Sequence, residues 1–159
     1  ARGAENTRVV ALHVTLGWTA IERGDFVTAE TKAQIAIGMV QRVAGERHPH
    51  IWSAKQLLAE SLIGQQRYTH AEPLLREVLA ALQNERAIGW RVARTASSLG
   101  SALLEQGKVA EAGEYLSLAR RKLVSVKGWP MEGENRVLVS RLERLNAARA
   151  QGSSLAKLD

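Results

Sequence analysis

Three segments of this chain repeat one another at a nearly fixed interval, and that interval limits the fold more than any other feature. Gly24-Asp25-Phe26 leads to Ala29-Glu30, Gln66-Arg67-Tyr68 leads to Ala71-Glu72, and Gly107-Lys108-Val109 leads to Ala112-Gly113, at offsets of 42 and 41 residues. Eight residues before each turn stands a Leu followed by a small residue: Leu16-Gly17, Leu58-Ala59 and Leu99-Gly100. Apolar pairs follow at Ala20-Ile21, Leu62-Ile63 and Leu103-Leu104. A period of this length marks stacked supersecondary units, each too small to bury its own apolar face. Here every unit reads as an apolar helix, a tight polar turn and a second apolar helix.

The residue types suit that reading. Small residues at Gly17, Ala59 and Gly100, expected to face Ala29, Ala71 and Ala112, let the two helices of a hairpin approach closely. Leu16, Leu58 and Leu99 would fill the space beside that contact. Gly24 and Gly107 fit the left-handed residue that ends a helix. Gln66 stands at the same place in the second unit, with Gly64 two residues earlier, so a different turn is expected there. Second helices show apolar residues at spacings of three and four, best in Ala71, Leu74, Leu75, Val78, Leu79 and Leu82. Pro49 and Pro130 sit where a first helical turn tolerates Pro, and Glu132 and Glu134 suit the positive end of a helix dipole. Gly45 and Gly128 fall where preceding helices should stop. Together these predict helices at about 7–23, 27–44, 49–65, 70–84, 86–106, 109–126 and 132–150.

A Leu-Gly or Leu-Ala pair, a Gly turn and an Ala-Glu pair in a unit of about 42 residues resemble tetratricopeptide repeats of the longer, kinesin-light-chain-like kind. His48-Pro49, Gln66-Arg67-Tyr68-Thr69-His70-Ala71-Glu72-Pro73-Leu74-Leu75-Arg76 and Gln106-Gly107-Lys108 carry the resemblance best. The chain departs from the commonest pattern early in each first helix, where His13, Lys55 and Ala96 replace an aromatic. The resemblance implies an all-α fold, a right-handed superhelix of stacked antiparallel hairpins with first helices on the concave side. On this basis residues 1–150 form one domain, with repeats at about 10–45, 49–84 and 90–126. A partial repeat or capping helix takes 132–150, and 151–159 is a tail or a truncated helix.

Projection onto such a superhelix puts Val14, Thr15 and Trp18 on the concave surface, followed by Gln56 and Glu60, then Arg94, Ser97, Ser98 and Ser101. Three serines and an arginine on one stripe predict a face turned to solvent or ligand. Many domains of this kind hold a partner's C-terminal carboxylate in a clamp of basic and amide side chains. Arg94 matches one basic member, but Val14, Trp18 and Ser98 stand where others would be, which disfavours chaperone-tail binding. Trp52, Trp90 and Trp129, spaced by 38 and 39 residues, are expected at hairpin junctions with their N–H groups wet. Trp18, in mid-helix, is the better contact residue.

Charge is lopsided. The chain has a net charge of +6, yet residues 1–119 hold 13 Lys or Arg against 12 Asp or Glu, and residues 120–159 hold nine against four. Arg120, Arg121 and Lys122 complement a helix C-terminus. Arg141, Arg144 and Arg149, spaced by three and five, predict a stripe on the last helix, opposite or beside Leu138, Leu142 and Leu145. Facing the groove, Arg141 and Arg144 would favour an acidic peptide; facing outward, nucleic acid or solvent. Nucleic acid is disfavoured because the body of the chain is nearly neutral.

No cysteine is present, so disulfides and thiolate sites are excluded and a reducing, cytoplasmic setting fits. No apolar run approaches the ~20 residues of a membrane span, and the start reads as a cut from a longer protein. His48 and His50 flank Pro49 as a turn and helix start, a weak metal pair. His13 and His70 lack an arranged nucleophile or carboxylate. No phosphate loop, nucleophile elbow or His-Glu-x-x-His stands in the sequence, so neither catalysis nor a cofactor is expected.

The leading expectation is a protein-interaction module that binds a partner's peptide or helix in its concave groove. The alternative is a regulatory segment of a larger bacterial enzyme. Gly89-Trp90-Arg91, Leu99-Gly100, Gln106-Gly107-Lys108 and Arg141-Leu142-Glu143-Arg144-Leu145 are similar to the C-terminal repeat regions of some bacterial Ser/Thr kinases, whose kinase motifs this chain lacks. A homodimer through an uncapped end, at Leu155 and Leu158, is a further expectation.

Overall fold

A computed structural model describes residues 2–44, 49–84, 89–124 and 131–155. The described residues form seven helices: α1 (Arg2–Glu22), α2 (Phe26–Ala44), α3 (Pro49–Gly64), α4 (Tyr68–Asn84), α5 (Gly89–Glu105), α6 (Val109–Val124) and α7 (Met131–Leu155). α7 continues five residues past the expected end instead of giving way to an eighth helix. Gly45, His48, Gly128, Trp129, Pro130 and Leu158 lie outside the described residues, as do the side chains of Glu132, Glu134 and Leu155.

The three repeat turns share one hydrogen-bond pattern. Gly24 N–H donates to Ile21 O at 3.0 Å and Asp25 N–H to Ala20 O at 2.9 Å. Gln66 and Arg67 donate to Ile63 and Leu62 at 2.9 and 2.8 Å, and Gly107 and Lys108 to Leu104 and Leu103 at 3.0 Å each. This is the Schellman closure, which requires a left-handed residue just past the helix. Gly24 and Gly107 take it at φ of 76° and 75°, and Gln66 takes it at 60°. The second turn therefore does not differ, contrary to expectation. Gln66 accepts the strain that glycine avoids, ~1–2 kcal/mol for an L-residue. Gly64 serves something else: a Cβ there would collide with the ring of Phe26 at the start of α2.

Asp25 caps α2, its Oδ1 accepting the Thr28 N–H at 3.0 Å. Hydrogen bonds from Thr28, the hydroxyl first and the backbone N–H second, hold the Asp25 carboxyl below its ordinary value of 3.8.

The chain divides into two compact units, residues 1–81 and 82–159, with the boundary in the last turn of α4. In the first unit α1 packs on α2, α2 on α3, and α1 directly on α3. Val10, Ala36, Val40, Ile51 and Ala54 make one buried cluster. Ala20, Ala29, Ala33 and Leu57 make another. Alanines at five of these nine positions set close helix spacing. Gly17 contributes differently from expectation: its nearest neighbour is Leu57 of α3, whose Cδ2 occupies the space a Cβ would need. The glycine thus opens a hole for a knob from the next hairpin. Across the α3–α4 hairpin, Lys55 pairs with Glu77 at 2.5 Å. Trp52 packs half-buried against the α1–α2–α3 cluster, with Lys55 Nζ 5.4 Å from its ring centre.

In the second unit α5 packs on α6, and α7 on both. Leu99, Leu103, Ala112, Leu116, Leu138 and Leu145 are buried. A Cβ on Gly100 would lie 2.7 Å from Leu116 Cγ and 3.1 Å from Ala112 O, so the expected close approach of Gly100 to Ala112 is present. Leu99 fills the space beside it, fully buried. Leu16, its counterpart in the first repeat, is 44% exposed and lies in a stripe with exposed Val9 and Leu12.

Candidate functional site

Positions 14, 56 and 97 are equivalent in the three repeats, as are 18, 60 and 101, and they sit on one side of each first helix. In the first unit this side is partly open. Val14 and Trp18 of α1 are half-buried and Thr15 is exposed, its hydroxyl donating to Ala11 O at 3.0 Å. Trp18 lies against the Ala20–Ala29–Ala33–Leu57 cluster. On α3, Glu60 is half-buried, and Gln56, 6% exposed, donates from Nε2 to Glu60 Oε1 at 2.8 Å. Because α1 and α3 pack directly through Gly17 and Leu57, Trp18 and Glu60 belong to one two-helix face.

In the second unit the same side is closed. Ser97, Ser98 and Ser101 are buried at 4%, 1% and 5%, which corrects the expectation of a stripe turned to solvent or ligand. The cause is α7. Arg141 Nη1 donates to Ser97 Oγ at 2.7 Å and to Ser98 Oγ at 3.4 Å. Leu138 and Leu145, one turn to either side of Arg141, are buried beside it. Arg144 pairs with Glu105 at the end of α5. Both arginines expected to attract an acidic partner are thus committed to holding α7 on α5. Arg94 lies half-buried with its guanidinium 5.3 Å from the centre of Trp90. Ala93, Arg94, Ser97, Leu123 and Leu138 border a shallow depression beside it, too small to hold a water.

A second constellation escapes the sequence reading. Glu30 of α2 accepts from Gln65 Nε2 at 2.7 Å and from Arg67 Nη1 at 3.1 Å through both oxygens. In the first repeat the carboxylate of the Ala-Glu pair therefore ties one hairpin to the turn that ends the next first helix, whereas Glu72 of the second repeat pairs with Arg76 on its own helix. In the third repeat Gly113 replaces that glutamate. Arg149 of α7 lies over it, so close that a Cβ on Gly113 would collide with Arg149 Nη2. Ala110, Gly113, Glu114, Ser117 and Arg121 of α6 and Arg149 of α7 line a cleft of about 480 Å³. The signal was in the sequence, as Ala-Glu, Ala-Glu, Ala-Gly. Only the partner of Glu30 gives it meaning.

Among the described residues no group of three or more His, Cys, Asp or Glu is gathered as a metal ion requires. His13 Nδ1 is buried without a hydrogen-bond partner among them. No described helix is long and apolar enough to cross a membrane.

No protein-family model matches the chain. No curated protein matches it either. Among solved structures it is similar to the TPR domain of Arabidopsis FLU, at 19% identity and a TM-score of 0.67, over 76% of this chain and 99% of that one. It is also similar to a TPR-like protein from Chlorobium tepidum, at 15% identity and a TM-score of 0.79, over 92% of this chain and 98% of that one. At such identities the likeness is one of fold. Seven helices, three equivalent turns and these neighbours give the chain a tetratricopeptide-like helical repeat fold.

Proposed function

We propose that this chain is a protein-interaction module without catalytic activity, and that the α1–α3 face of its first unit receives a peptide or helix of a protein partner. The observation that carries the reading is Trp18. Its ring rests on an alanine-rich core yet stays partly open, at the position that the third repeat seals. A large ring fixed from below offers contact area at small entropic cost, which is why Trp dominates binding energy at protein interfaces. Val14 and Thr15 extend the surface along α1, and the hydrogen-bonded Gln56–Glu60 pair gives it a polar border. Arg94 remains a candidate contact of the second unit. Ser97, Ser98 and Ser101 are covered, and Arg141 and Arg144 are engaged.

Partners captured from the native lysate with the wild-type chain would be identified, purified and titrated against wild type, Trp18→Ala and Leu12→Ala. Trp18→Ala is expected to weaken the interaction by about tenfold or more, on the scale of an interface hot spot. Leu12→Ala, on the exposed stripe of α1, should leave it unchanged. Equal affinity of Trp18→Ala and wild type, with helical content intact, would remove the α1–α3 face from the reading.

A further inference from the structure

The repeat contains its own template for recognising a carboxylate. In the first unit Glu30 offers two oxygens to Arg67, 37 residues later. Arg149 stands 36 residues after Gly113, one residue short of that separation, and its guanidinium occupies the space above the glycine. Here the chain supplies a cation without the carboxylate. Arg149 has no ion pair among the described residues, and Arg121, eight residues along α6, has none either. The neighbouring Glu114 lines the same cleft and pairs with neither. Leu145, one turn before Arg149, is buried, which fixes this part of α7 against α6.

We propose that this cleft binds a carboxylate carried by an acidic peptide segment of a protein partner, which takes the role that Glu30 plays toward Arg67. Arg149 is the principal cation and Arg121 the second, its backbone ~12 Å from that of Gly113 along α6 by helical rise. Small side chains at Ala110 and Ser117 line the cleft beside the Arg149 guanidinium. A guanidinium holds a carboxylate by charge-assisted hydrogen bonds, as Arg67 Nη1 does here with both oxygens of Glu30. Glu114, which lines the same cleft, selects against a uniformly anionic polymer. It therefore favours separated acids over a nucleic-acid backbone, whose binding needs a track of cations. The site lies on a second helix and α7, apart from the α1–α3 face.

The proposal rests on the interaction-module reading only in assigning the carboxylate to a peptide, and the test separates the two. The probe is an acetylated, amidated pentapeptide, glutamate-serine-glycine-serine-glutamate, whose terminal acids span ~13 Å when extended. It is titrated into the isotope-labelled full chain and followed by amide and arginine Nε–Hε resonances. Saturable shifts are expected at Gly113, Ser117, Arg121 and Arg149. Arg149→Gln should weaken binding at least tenfold. Gly113→Glu, which restores the carboxylate of the other repeats, should block it, giving a second variant if the first alters folding. Trp18→Ala should bind the probe like wild type even if it loses the captured partner. Shifts shared equally by Arg120 and Arg136, or probe binding indifferent to both cleft variants, would overturn the proposal. So would tighter binding of a twelve-residue thymidine oligonucleotide that displaces the probe.

Discussion

α1 and α5 begin as equivalent helices and end in opposite circumstances. Both carry Leu followed by Gly at the same register and a polar or mixed stripe on the same side. In α5 nearly every residue from Val92 to Leu103 is buried, while in α1 Val9, Leu12 and Leu16 are exposed and Trp18 is half open. The difference is made by α7, which brings Arg141 and Arg144 onto α5. Polarity alone does not tell a surface stripe from a buried one, since serine hydroxyls can satisfy a guanidinium inside the fold.

The largest effect that would test this contrast is at the shared leucine. Leu99→Ala should cost about 2–5 kcal/mol, the range for truncating a fully buried leucine, whereas Leu16→Ala should stay within about 0.5 kcal/mol. Chemical denaturation of the two variants measures both, and equal losses would erase the distinction between the helices. Next is the polar latch. Arg141→Ala should destabilise by about 1.5–3 kcal/mol, as for a hydrogen bond to a charged group, and less in a chain already carrying Ser97→Ala and Ser98→Ala. Additive losses in that double-mutant cycle would mean that Arg141 acts elsewhere.

The turns provide a smaller and cleaner comparison. Gln66→Gly should stabilise by about 1 kcal/mol by removing left-handed strain, and Gly24→Ala or Gly107→Ala should destabilise by a similar amount. In a chain of this size that corresponds to roughly 2–4 °C in Tm, of opposite sign for the two kinds of change. The smallest effect belongs to Asp25. Its folded pKa lies below the ordinary 3.8, so its stabilising contribution is complete above that value and disappears as pH falls through the folded pKa. A Tm profile against pH should show wild type and Asp25→Asn converging in acid, and a gap unchanged down to the lowest pH would contradict the capping role.

The local chemistry of the turns was legible in the sequence. Gly24, Gly107 and the Ala-Glu pairs mark the three hairpins within a residue or two, because Schellman closure depends on neighbours in the chain. Gln66 misled because its side chain hides a backbone geometry that its repeat position already implied. What could not be read were pairings across long separations. Ser97 meets Arg141 44 residues away, and Glu30 meets Arg67 37 residues away. Composition placed the basic excess in the last quarter correctly, yet gave no sign that two of its arginines are used within the fold. Trp18 was singled out by its mid-helix position, and the structure adds the alanine cluster on which it rests.

The buried serines also decide how this region opens. α5 and α7 are joined by a guanidinium bridge and by the buried Leu138 and Leu145 beside it, so releasing α7 strips Ser97 and Ser98 of their donor at the same moment. Backbone amides of α5 are then tied to those of α7 in one cooperative opening step. Deuterium uptake along α5 should follow that of α7, and added salt, which weakens the partly exposed Arg144–Glu105 pair, should quicken both together.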